Sequence, residues 1–431
     1  MTTVDVRLFL VMALALCACG SVDSENPDAV PSAEGKEDGV VWPCTKTPWQ
    51  IAVLDGPNGR GAQGLEPSLA LDGWGGVHVT YAAWPSRFGQ LTSPPSSVDV
   101  ETSLQLKWAY RASMGPWNPP AIIDSSPGVG HESSMASDAR GGLHVVYYDF
   151  PNVQLKYLYR RPLGAWEAPI ALPTRAYGGG VRTSLAVDSE GGVHITTLDV
   201  DQGGISYLYK PAGGSFSPPE LAVESNVGWQ SIAIDRGDTV HLVFNRAAAR
   251  AIHDGVVQYD SYLLYANKPA GGAWSAPTSG SWDTEPSLDP SLHALEPSIA
   301  VDRAGTLHVA YGDTSAAQDT HVKYLSRTAA GAWSSPAMVD ASGWMESPRI
   351  AVDSVDGLHL TYYWIAGAGS QGGPKYVHRR AGGAWEAPQL IEAVSETGSS
   401  NASLSVDRRG GVHVAYLDSD HGRLKYAYAC P

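Results

Sequence analysis

Charged residues are scarce in this chain, and basic residues are the scarcer of the two signs. Asp, Glu, Lys and Arg make up 17% of its 431 residues, and 29 Lys and Arg against 44 Asp and Glu leave a net charge of −15. A protein that follows a nucleic-acid backbone needs Lys and Arg in excess to neutralise the phosphates. The composition therefore argues against nucleic acid as a partner.

Cysteine is also scarce, and the apolar run near the amino terminus is short. Of the four cysteines, Cys17 and Cys19 lie near the amino terminus, and Cys44 and Cys430 lie near the two ends of the remaining sequence. The apolar run at 8–16 is too short to span a bilayer. The 47 Gly and 30 Pro are typical of many short strands joined by turns.

The amino terminus has the features of an export signal. Arg7 precedes the apolar run, and the sequence LCACGS that follows resembles a bacterial lipoprotein signal, with Cys19 as the residue that would be lipidated. The resemblance implies a signal peptide over 1–18 and an exported protein in the bacterial cell envelope, at the outer membrane or cell surface. It would then contact the membrane through a lipid anchor only. A cleaved secretory signal is the first alternative, and retention in the cytoplasm is the second.

An acidic segment separates this signal from the rest of the chain. Residues 20–41 contain six acidic groups, one Lys and no aromatic residue. Such a composition cannot bury enough apolar surface to offset the entropy of ordering. We expect a flexible acidic tether over 19–43 and a folded body over 44–431.

One phrase recurs seven times in the remaining sequence. It consists of a strand of small residues ending in Asp, a Gly-containing turn, and a His that opens an apolar strand. The copies are SLALDGWGGVHVTY (68–81), SMASDARGGLHVVY (134–147), SLAVDSEGGVHITT (184–197), SIAIDRGDTVHLVF (231–244), SIAVDRAGTLHVAY (298–311), RIAVDSVDGLHLTY (349–362) and SLSVDRRGGVHVAY (403–416). A second phrase such as LKYLYRRPLGAWEAP follows each copy, so that one unit holds four strand-like runs.

The repeats predict an all-β fold. In the second unit we place strands at 134–138, 143–149, 155–160 and 166–172. The units are about 56 residues apart, which is in the range of propeller blades. We predict a seven-bladed β-propeller of four-stranded antiparallel blades. A solenoid would leave two sheet ends exposed, and neither end of the array has an atypical repeat that could cap it.

The ends of the array fit together. The last unit stops after its third strand at LKYAYACP, and a fourth-strand phrase stands alone at the other end as PCTKTPWQIAVLD. The last blade is therefore predicted to be closed by the N-terminal strand, which brings Cys44 and Cys430 to one turn. We predict a disulfide between them, for which the chain-entropy model gives about 5 kcal/mol as an upper estimate.

The recurring Asp and His are predicted to be structural. They lie opposite one another across a hairpin and can form a charge-assisted hydrogen bond. The pairs are Asp72 and His78, Asp138 and His144, Asp188 and His194, Asp235 and His241, Asp302 and His308, Asp353 and His359, and Asp407 and His413. The alternative makes these histidines metal ligands or general bases. Their spread over seven equivalent positions favours the structural interpretation, and we assign neither a metal nor a catalytic residue from the sequence.

A second recurring feature is an aromatic residue at the start of the outer strand. These residues are predicted to anchor packing, and the minority interpretation makes them platforms for sugar rings. They are Trp117, Trp166, Phe216, Trp274, Trp333 and Trp385.

The array at 48–430 resembles the BNR or sialidase-like (Asp-box-related) β-propeller repeats of exported bacterial proteins, on the phrase SxAxDxxGxxHVxY. It departs from the Asp-box, which reads SxDxGxxW. The resemblance implies the propeller fold. It implies no sialidase activity, because a strand-borne Arg-Ile-Pro is not recognisable: Arg349 and Ile350 are followed by Ala351.

Function is sought where the units differ, since what they share builds the scaffold. The residue two positions before each repeated Ser is predicted to lie at the mouth of the central channel: Glu66, Glu132, Arg182, Trp229, Glu296, Ser347 and Asn401. The end of each second strand is predicted to lie on the same face: Ala83, Asp149, Asp199, Arg246, Asp313, Trp364 and Asp418, with Asp201, His321, Asp420 and His421 nearby. Loops 84–103, 246–257 and 279–296 are further candidates.

Such a rim of acids, aromatics and Arg suits binding of a carbohydrate or a protein partner, by a protein that we expect to be monomeric. The candidates for ligand binding are Glu66, Glu132, Arg182, Trp229, Glu296, Asn401, Asp149, Asp199, Asp313, Trp364 and Asp418. No cofactor is expected, although the same carboxylates could instead hold Ca²⁺. The alternative is a polysaccharide-active enzyme, a glycoside hydrolase or a lyase. His253, His293, Arg87, Arg182 and Tyr177 are available to it on loops, but their spacing selects none of them.

Overall fold

Each repeat folds into one small antiparallel sheet in the computed structural model. The structure describes residues 44–56, 63–84, 103–113, 115–174, 183–199, 201–224, 227–253, 256–277, 294–314, 320–366, 371–394 and 401–431. The predicted signal peptide and the whole of the predicted tether, including Cys19, lie outside these residues. No helix in this part of the chain has the length and apolar character needed to cross a membrane.

Blades one to three are built in the same order, from the innermost strand outwards. Blade one contains β2 (Gln63–Leu71), β3 (Val77–Ala83), β4 (Gln105–Arg111) and β5 (Ala121–Asp124). Blade two contains β6 (Val129–Ser137), β7 (Leu143–Asp149), β8 (Gln154–Arg160) and β9 (Ile170–Ala171). Blade three contains β10 (Ser184–Val187), β11 (Val193–Asp199), β12 (Gly204–Lys210) and β13 (Glu220–Val223).

Blades four to six follow the same plan. Blade four shows three strands among its described residues, β14 (Val227–Ile234), β15 (Val240–His253) and β16 (Val256–Lys268). Blade five contains β17 (Ala294–Val301), β18 (Leu307–Thr314), β19 (Thr320–Arg327) and β20 (Ala337–Asp340). Blade six contains β21 (Trp344–Val352), β22 (Leu358–Ile365), β23 (Gly372–Arg379) and β24 (Gln389–Leu390).

Blade seven joins the two ends of the folded body. It contains β25 (Ala402–Val406), β26 (Val412–Asp418), β27 (Arg423–Ala429) and, as its outer strand, β1 (Gln50–Asp55). β1 runs antiparallel to β27, with Gln50 opposite Tyr428. The predicted disulfide between Cys44 and Cys430 is present beside this pairing. The prediction that the N-terminal strand closes the last blade is confirmed.

The innermost strands close a ring. Contacts run from β2 to β6, β10, β14, β17, β21 and β25, and β25 contacts β2 again. The predicted seven-bladed propeller is therefore confirmed.

The hydrophobic core is divided among the blade junctions. Seven clusters of buried apolar residues are present, and each joins side chains of two neighbouring blades. At the junction of blades seven and one, for example, Leu69 and Val79 share a cluster with Tyr426. Since no blade buries its faces alone, the ring has to be complete for the core to be dry.

The recurring outer aromatic residues belong to these junctions. Each packs edge-on against an aromatic ring of the preceding blade, with ring centroids 5.0–5.6 Å apart. The pairs are Trp117 with Tyr426, Trp166 with Trp108, Phe216 with Tyr157, Trp274 with Tyr207, Trp333 with Tyr265, and Trp385 with Tyr324. Trp49 does the same against Tyr376 for blade seven, at 5.3 Å. This geometry is that of packing anchors.

Every blade has a hydrogen-bonded Asp and His at its first hairpin. The Oδ2 atom of the Asp lies 3.0–3.3 Å from Nε2 of the His in all seven. The other oxygen accepts from two backbone N–H groups of the turn, as Asp138 Oδ1 does from Arg140 and Gly142, both at 2.8 Å. One carboxylate thus fixes both the turn and the ring of the His.

The third strand completes this network. Nδ1 of the His lies 2.6–2.8 Å from a Tyr hydroxyl in blades two to seven, and Trp108 donates to His78 Nδ1 at 3.3 Å in blade one. The histidines are almost fully buried, so both ring nitrogens require partners. The network satisfies them within the blade.

Strand bounds differ from the prediction at two places in blade two. The inner strand begins at Val129 and not at 134, because it continues through a bulge before the repeated Ser. The outer strand is reduced to Ile170–Ala171, although Trp166 still forms a bridge with Arg160. Pro169 has no N–H to donate, which interrupts the ladder between them.

The long loop predicted at 246–257 is largely a strand pair. β15 and β16 continue their pairing as far as His253 opposite Val256, well beyond the corresponding strands of the other blades. The remaining candidate loops, 84–103 and 279–296, lie mostly outside the described residues.

We predict that the protein loses stability as the pH falls below about 6.5. Burial lowers the pKa of His78, His194, His241, His308, His359 and His413 below the ordinary 6.5, and this outweighs the pairing with Asp. A group whose pKa is lower in the folded state stabilises the fold above its unfolded pKa, and that contribution is lost on acidification. The unfolding free energy should therefore be level above pH 7 and decline below it.

We predict a second decline of the unfolding free energy below about pH 4. Burial opposes the charge of the paired aspartates, but hydrogen bonds from His and the turn lower their pKa below 3.8, in Asp353 to about 2. Urea unfolding at a series of pH values measures both steps. Stability that stays constant from pH 7 to pH 5 would contradict the histidine contribution.

Candidate functional site

A cavity of 430 Å³ lies on the axis of the ring, and all seven blades line it. Its walls contain Glu66, Glu132, Thr183, Trp229, Glu296, Arg349 and Asn401, one residue from each blade. We call this set of residues the channel mouth. Its volume is in the range of small-molecule sites in proteins. Five of the residues that the sequence analysis placed at the mouth lie together here, namely Glu66, Glu132, Trp229, Glu296 and Asn401.

A bulge in the inner strand presents the mouth residues. In β2 the register shifts between Leu65 and Ser68, so that two residues oppose one on β3. The first residue of the bulge is left-handed, with φ of 49° at Glu66, 51° at Glu132, 49° at Glu296 and 54° at Ser347. Non-glycine residues adopt this conformation rarely, and bulges often redirect a side chain at a functional site. The same local distortion thus recurs in four blades at the axis.

The repeated serines hold the blades together beneath the mouth. Each Ser Oγ accepts from a backbone N–H of the next blade at 2.9–3.4 Å. Ser68, Ser134, Ser184, Ser231, Ser298 and Ser403 bond in this way to Met135, Leu185, Ile232, Ile299, Ile350 and Leu69. Blade six has Arg349 in place of the Ser, and its guanidinium donates to the Pro348 carbonyl at 2.9 Å. A cation therefore replaces the small residue at one of the seven junctions.

Mouth side chains also bond between blades. Glu66 Oε2 accepts from the Glu132 N–H at 2.5 Å, and Glu296 Oε2 accepts from the Ser347 N–H at 2.7 Å. The Ser347 hydroxyl donates to Asn401 as well. These bonds fix the carboxylates of Glu66 and Glu296 in place before a ligand arrives, which reduces the entropic cost of binding.

The mouth is acidic and has one large apolar surface. Among its described residues three carboxylates, Glu66, Glu132 and Glu296, face one guanidinium, that of Arg349. Trp229 is half-buried and supplies the aromatic ring. Such a site can accept hydrogen bonds from hydroxyl or amine groups and stack against a flat apolar face.

His131 lies beside one residue of this mouth, Glu66. Its Nδ1 atom is 3.7 Å from Glu66 Oε2, and its ring is four-fifths buried beside Phe150. Its Nε2 atom is buried without a hydrogen-bond partner among the described residues. The sequence analysis did not select His131, since it lies outside the recurring phrase and only its position next to Glu132 could have indicated it.

The acids that were predicted at the ends of the second strands pair with residues of their own blades. Asp149, Asp313 and Asp418 are buried, and a Lys from the third strand lies 3.3, 2.8 and 2.8 Å away: Lys156, Lys323 and Lys425 respectively. Asp199 accepts from the Asp201 N–H at 2.9 Å and from the Ser206 hydroxyl at 3.0 Å. None of the four lines the cavity. Their predicted ligand contacts stay predictions.

The electrostatics of Asp418 illustrate this use. Burial acts to raise its pKa, but hydrogen bonds from Lys425 and His421 outweigh burial and hold the pKa below its ordinary value. The carboxylate is therefore ionised and balanced by a cation of its own blade. A Ca²⁺ ion at the acidic rim would have to displace such ammonium groups.

Trp364 is also engaged by its neighbours. Its Nε1 atom donates to the Ser342 carbonyl at 2.9 Å, and the Lys375 ammonium lies 4.2 Å from the centre of its ring. One face of this ring is thus covered by a cation. Trp229 is the better placed of the two predicted stacking residues.

The third-strand lysines form junctions that the sequence analysis missed. Lys107, Lys156, Lys375 and Lys425 each bond an acid at the end of the preceding blade, at 2.8–3.2 Å, and a buried Tyr of the second strand bonds the same acid. The acids are Asp55, Asp124, Asp340 and Glu392. The recurrence of Lys directly before an aromatic residue, in LKW, LKY, PKY and LKY, was the available signal.

Several other candidates lie outside the described residues, namely Arg182, Arg87, Tyr177, His293 and the side chain of His253. The other positions at the ends of second strands lie in blades one and four: Ala83 is buried, and Arg246 donates to the Glu224 carbonyl at 3.3 Å.

No family model matches the chain, and no curated protein matches its sequence. Solved structures share its fold. A polysaccharide lyase PL25, an ulvan lyase, aligns with a TM-score of 0.59 at 11% identity over 88% of this chain and 96% of its own. The structure of this lyase bound to -[GlcA(1-4)Rha3S]- aligns with a TM-score of 0.57 at 11% identity, over 88% of this chain and 96% of its own. The polysaccharide lyase Uly1 aligns with a TM-score of 0.52 at 9% identity, over 87% of this chain and 92% of its own. At such identities the similarity shows the propeller fold alone, and membership of the BNR or sialidase-like repeats stays a prediction.

Proposed function

We propose that the channel mouth binds a carbohydrate and that the protein is an extracytoplasmic binding or scaffold propeller. The observation that carries the proposal is the axial cavity, in which Trp229 lies with three carboxylates and Asn401. A sugar ring offers a flat apolar face for stacking and hydroxyl groups that donate to carboxylates. The bonds between blades hold Glu66, Glu296 and Asn401 in fixed positions, as a selective site requires.

The charge of the mouth favours a neutral sugar over an acidic one. Among the described residues of the mouth, three carboxylates outnumber one guanidinium, and this excess, on a protein with a net charge of −15, disfavours uronate and sulfate groups. The lyase of similar fold was solved with a chain of glucuronic acid and sulfated rhamnose. That complex supports a carbohydrate as the ligand class, while the acidic mouth indicates a different, uncharged member of it.

We predict that Trp229→Ala weakens binding of a neutral oligosaccharide at least about tenfold, or ~1.4 kcal/mol. Glu132→Gln should weaken it as well, because a carboxylate accepts stronger hydrogen bonds than an amide does. A glycan array identifies the ligand, and calorimetry then measures its affinity for each variant. Trp74→Ala is the matched control, since Trp74 is an exposed Trp at the opposite ends of the strands. Equal losses for Trp74 and Trp229, or binding of a protein in place of any glycan, would contradict the proposal.

The second candidate is a polysaccharide-active enzyme, and His131 is the observation that favours it. An imidazole that is four-fifths buried, beside the mouth carboxylate of Glu66, is an arrangement suited to general acid–base catalysis. A lyase removes a proton next to a carboxylate and therefore needs a uronate unit. A neutral substrate would instead require hydrolysis by paired acids.

For this candidate, His131→Asn should abolish product formation while ligand binding stays within about threefold of wild type. New reducing ends report either reaction, and unsaturated products report a lyase. His321→Asn is the control, since His321 lies at the start of β19 opposite Asp313, and neither of these two residues lines the mouth. Absence of product from a broad panel, neutral and uronate, would leave binding as the function. Unchanged activity in His131→Asn would exclude this residue from the chemistry.

We also propose that the protein is exported and lipid-anchored through Cys19. The support is the order of Arg7, the apolar run at 8–16 and the residues LCACGS. In a bacterial host, wild type should incorporate labelled palmitate and fractionate with membranes. Cys19→Ala should lose the label and Cys17→Ala should keep it. Label that persists in Cys19→Ala would refute this anchor without affecting the proposal for the channel mouth.

A further inference from the structure

The residue opposite the structural His on the third strand differs between blades. It is Tyr in blades one, two, three and seven, Asn in blade four, Ser in blade five and His in blade six. By register these are Tyr110, Tyr159, Tyr209, Tyr428, Asn267, Ser326 and His378. Blade six thus places a second imidazole beside the Asp and His that every blade has.

The three side chains of blade six converge. One ligand atom from each of Asp353, His359 and His378 lies within 4.8 Å of the others. Asp353 Oδ2 is 3.2 Å from His359 Nε2, and the two imidazole centroids are 4.8 Å apart. Donor atoms around a tetrahedral Zn²⁺, each about 2.0–2.1 Å from the metal, are separated by about 3.3 Å. Asp353 Oδ2 and His359 Nε2, at 3.2 Å, already have about this spacing.

Both histidines are held through their other nitrogen. His359 Nδ1 lies 2.7 Å from the Tyr376 hydroxyl, and His378 Nδ1 lies 3.3 Å from Glu386 Oε1. Nε2 of each ring is then the atom available to a cation. Histidines that bind a metal usually donate the second ring N–H to an oxygen of this kind, which fixes the orientation of the ring.

The surroundings also suit a cation. Asp353 and Glu386 supply two negative charges, and the side chains are 1–13% exposed for the three donors, with His378 the most accessible. Three protein donors with a path to solvent leave the fourth tetrahedral position for water. The cluster lies at the first hairpin, at the strand ends opposite the channel mouth.

We propose that Asp353, His359 and His378 form a binding site for a divalent transition metal, with Zn²⁺ as the best fit to two imidazoles and one carboxylate. On binding, the metal takes the Nε2 lone pair of His359, and the ring proton resides on Nδ1, where the Tyr376 oxygen accepts it. Glu386 accepts the Nδ1 proton of His378 in the same way. The site belongs to blade six because the other blades lack the third ligand.

The repeat supplies matched variants. His378→Tyr installs the residue of four other blades, so that it should fold without difficulty. Tyr159→His completes the equivalent set in blade two, where Asp138 and His144 are hydrogen-bonded. The backbone matches as well: the Glu167 N–H donates to the Tyr159 carbonyl at 2.8 Å, and the Glu386 N–H donates to the His378 carbonyl at 2.9 Å. His421→Ala tests a second cluster, Asp418, Asp420 and His421, in which Lys425 is 2.8 Å from Asp418.

The experiment titrates Zn²⁺ into metal-free protein without an affinity tag, by calorimetry and by competition with a chromophoric chelator. We expect one equivalent for wild type and His421→Ala, two for Tyr159→His, and at least about 100-fold weaker binding in His378→Tyr. The melting temperature of wild type should rise with Zn²⁺, and that of His378→Tyr should not. No binding by wild type, full binding by His378→Tyr, or one equivalent for Tyr159→His would overturn the assignment.

Discussion

The pairing of β1 with β27 is the constraint on which the rest of this structure depends. Each hydrophobic cluster joins two blades, so that an open array would leave the faces of two blades in water. One blade built from both chain ends removes that defect, and the disulfide between Cys44 and Cys430 holds the two segments together. In an exported protein such a bond persists, since the compartment is oxidising. The channel mouth exists only because the ring is closed.

The same buried network recurs in every blade, which identifies its residues as part of the scaffold. Asp, His and a third-strand Tyr or Trp satisfy one another at the first hairpin, while Ser Oγ groups link the inner strands around the axis. Because these contacts are repeated, a departure from them is informative. Arg349 replaces a Ser at the axis, Trp229 replaces an acid at the mouth, and His378 replaces a Tyr beside the Asp and His. The departure at Trp229 carries the proposal for the channel mouth, and the departure at His378 carries the proposal for the metal site.

Much of the fold and part of the site could be predicted from the sequence. The recurring phrase predicted the number of blades, and the split last unit predicted the closure and the disulfide. The position two residues before the repeated Ser predicted most of the mouth, because equivalent residues of a closed ring have to face one axis. The long pairing of β15 with β16 and the short outer strand of blade two were not predicted, since register and ladder breaks depend on pairing partners and not on composition.

The sequence alone determined the class of fold, the order of the blades and the way the chain ends meet, because periodicity and turn residues act locally and repeat. Only the tertiary structure decided which acids line the axial cavity. Asp149 and Glu132 look alike in the sequence, but Asp149 is buried against Lys156 of its own blade, whereas Glu132 is raised into the axial cavity by a bulge. The physical reason is that desolvation and pairing of a carboxylate depend on strands that are distant in the chain.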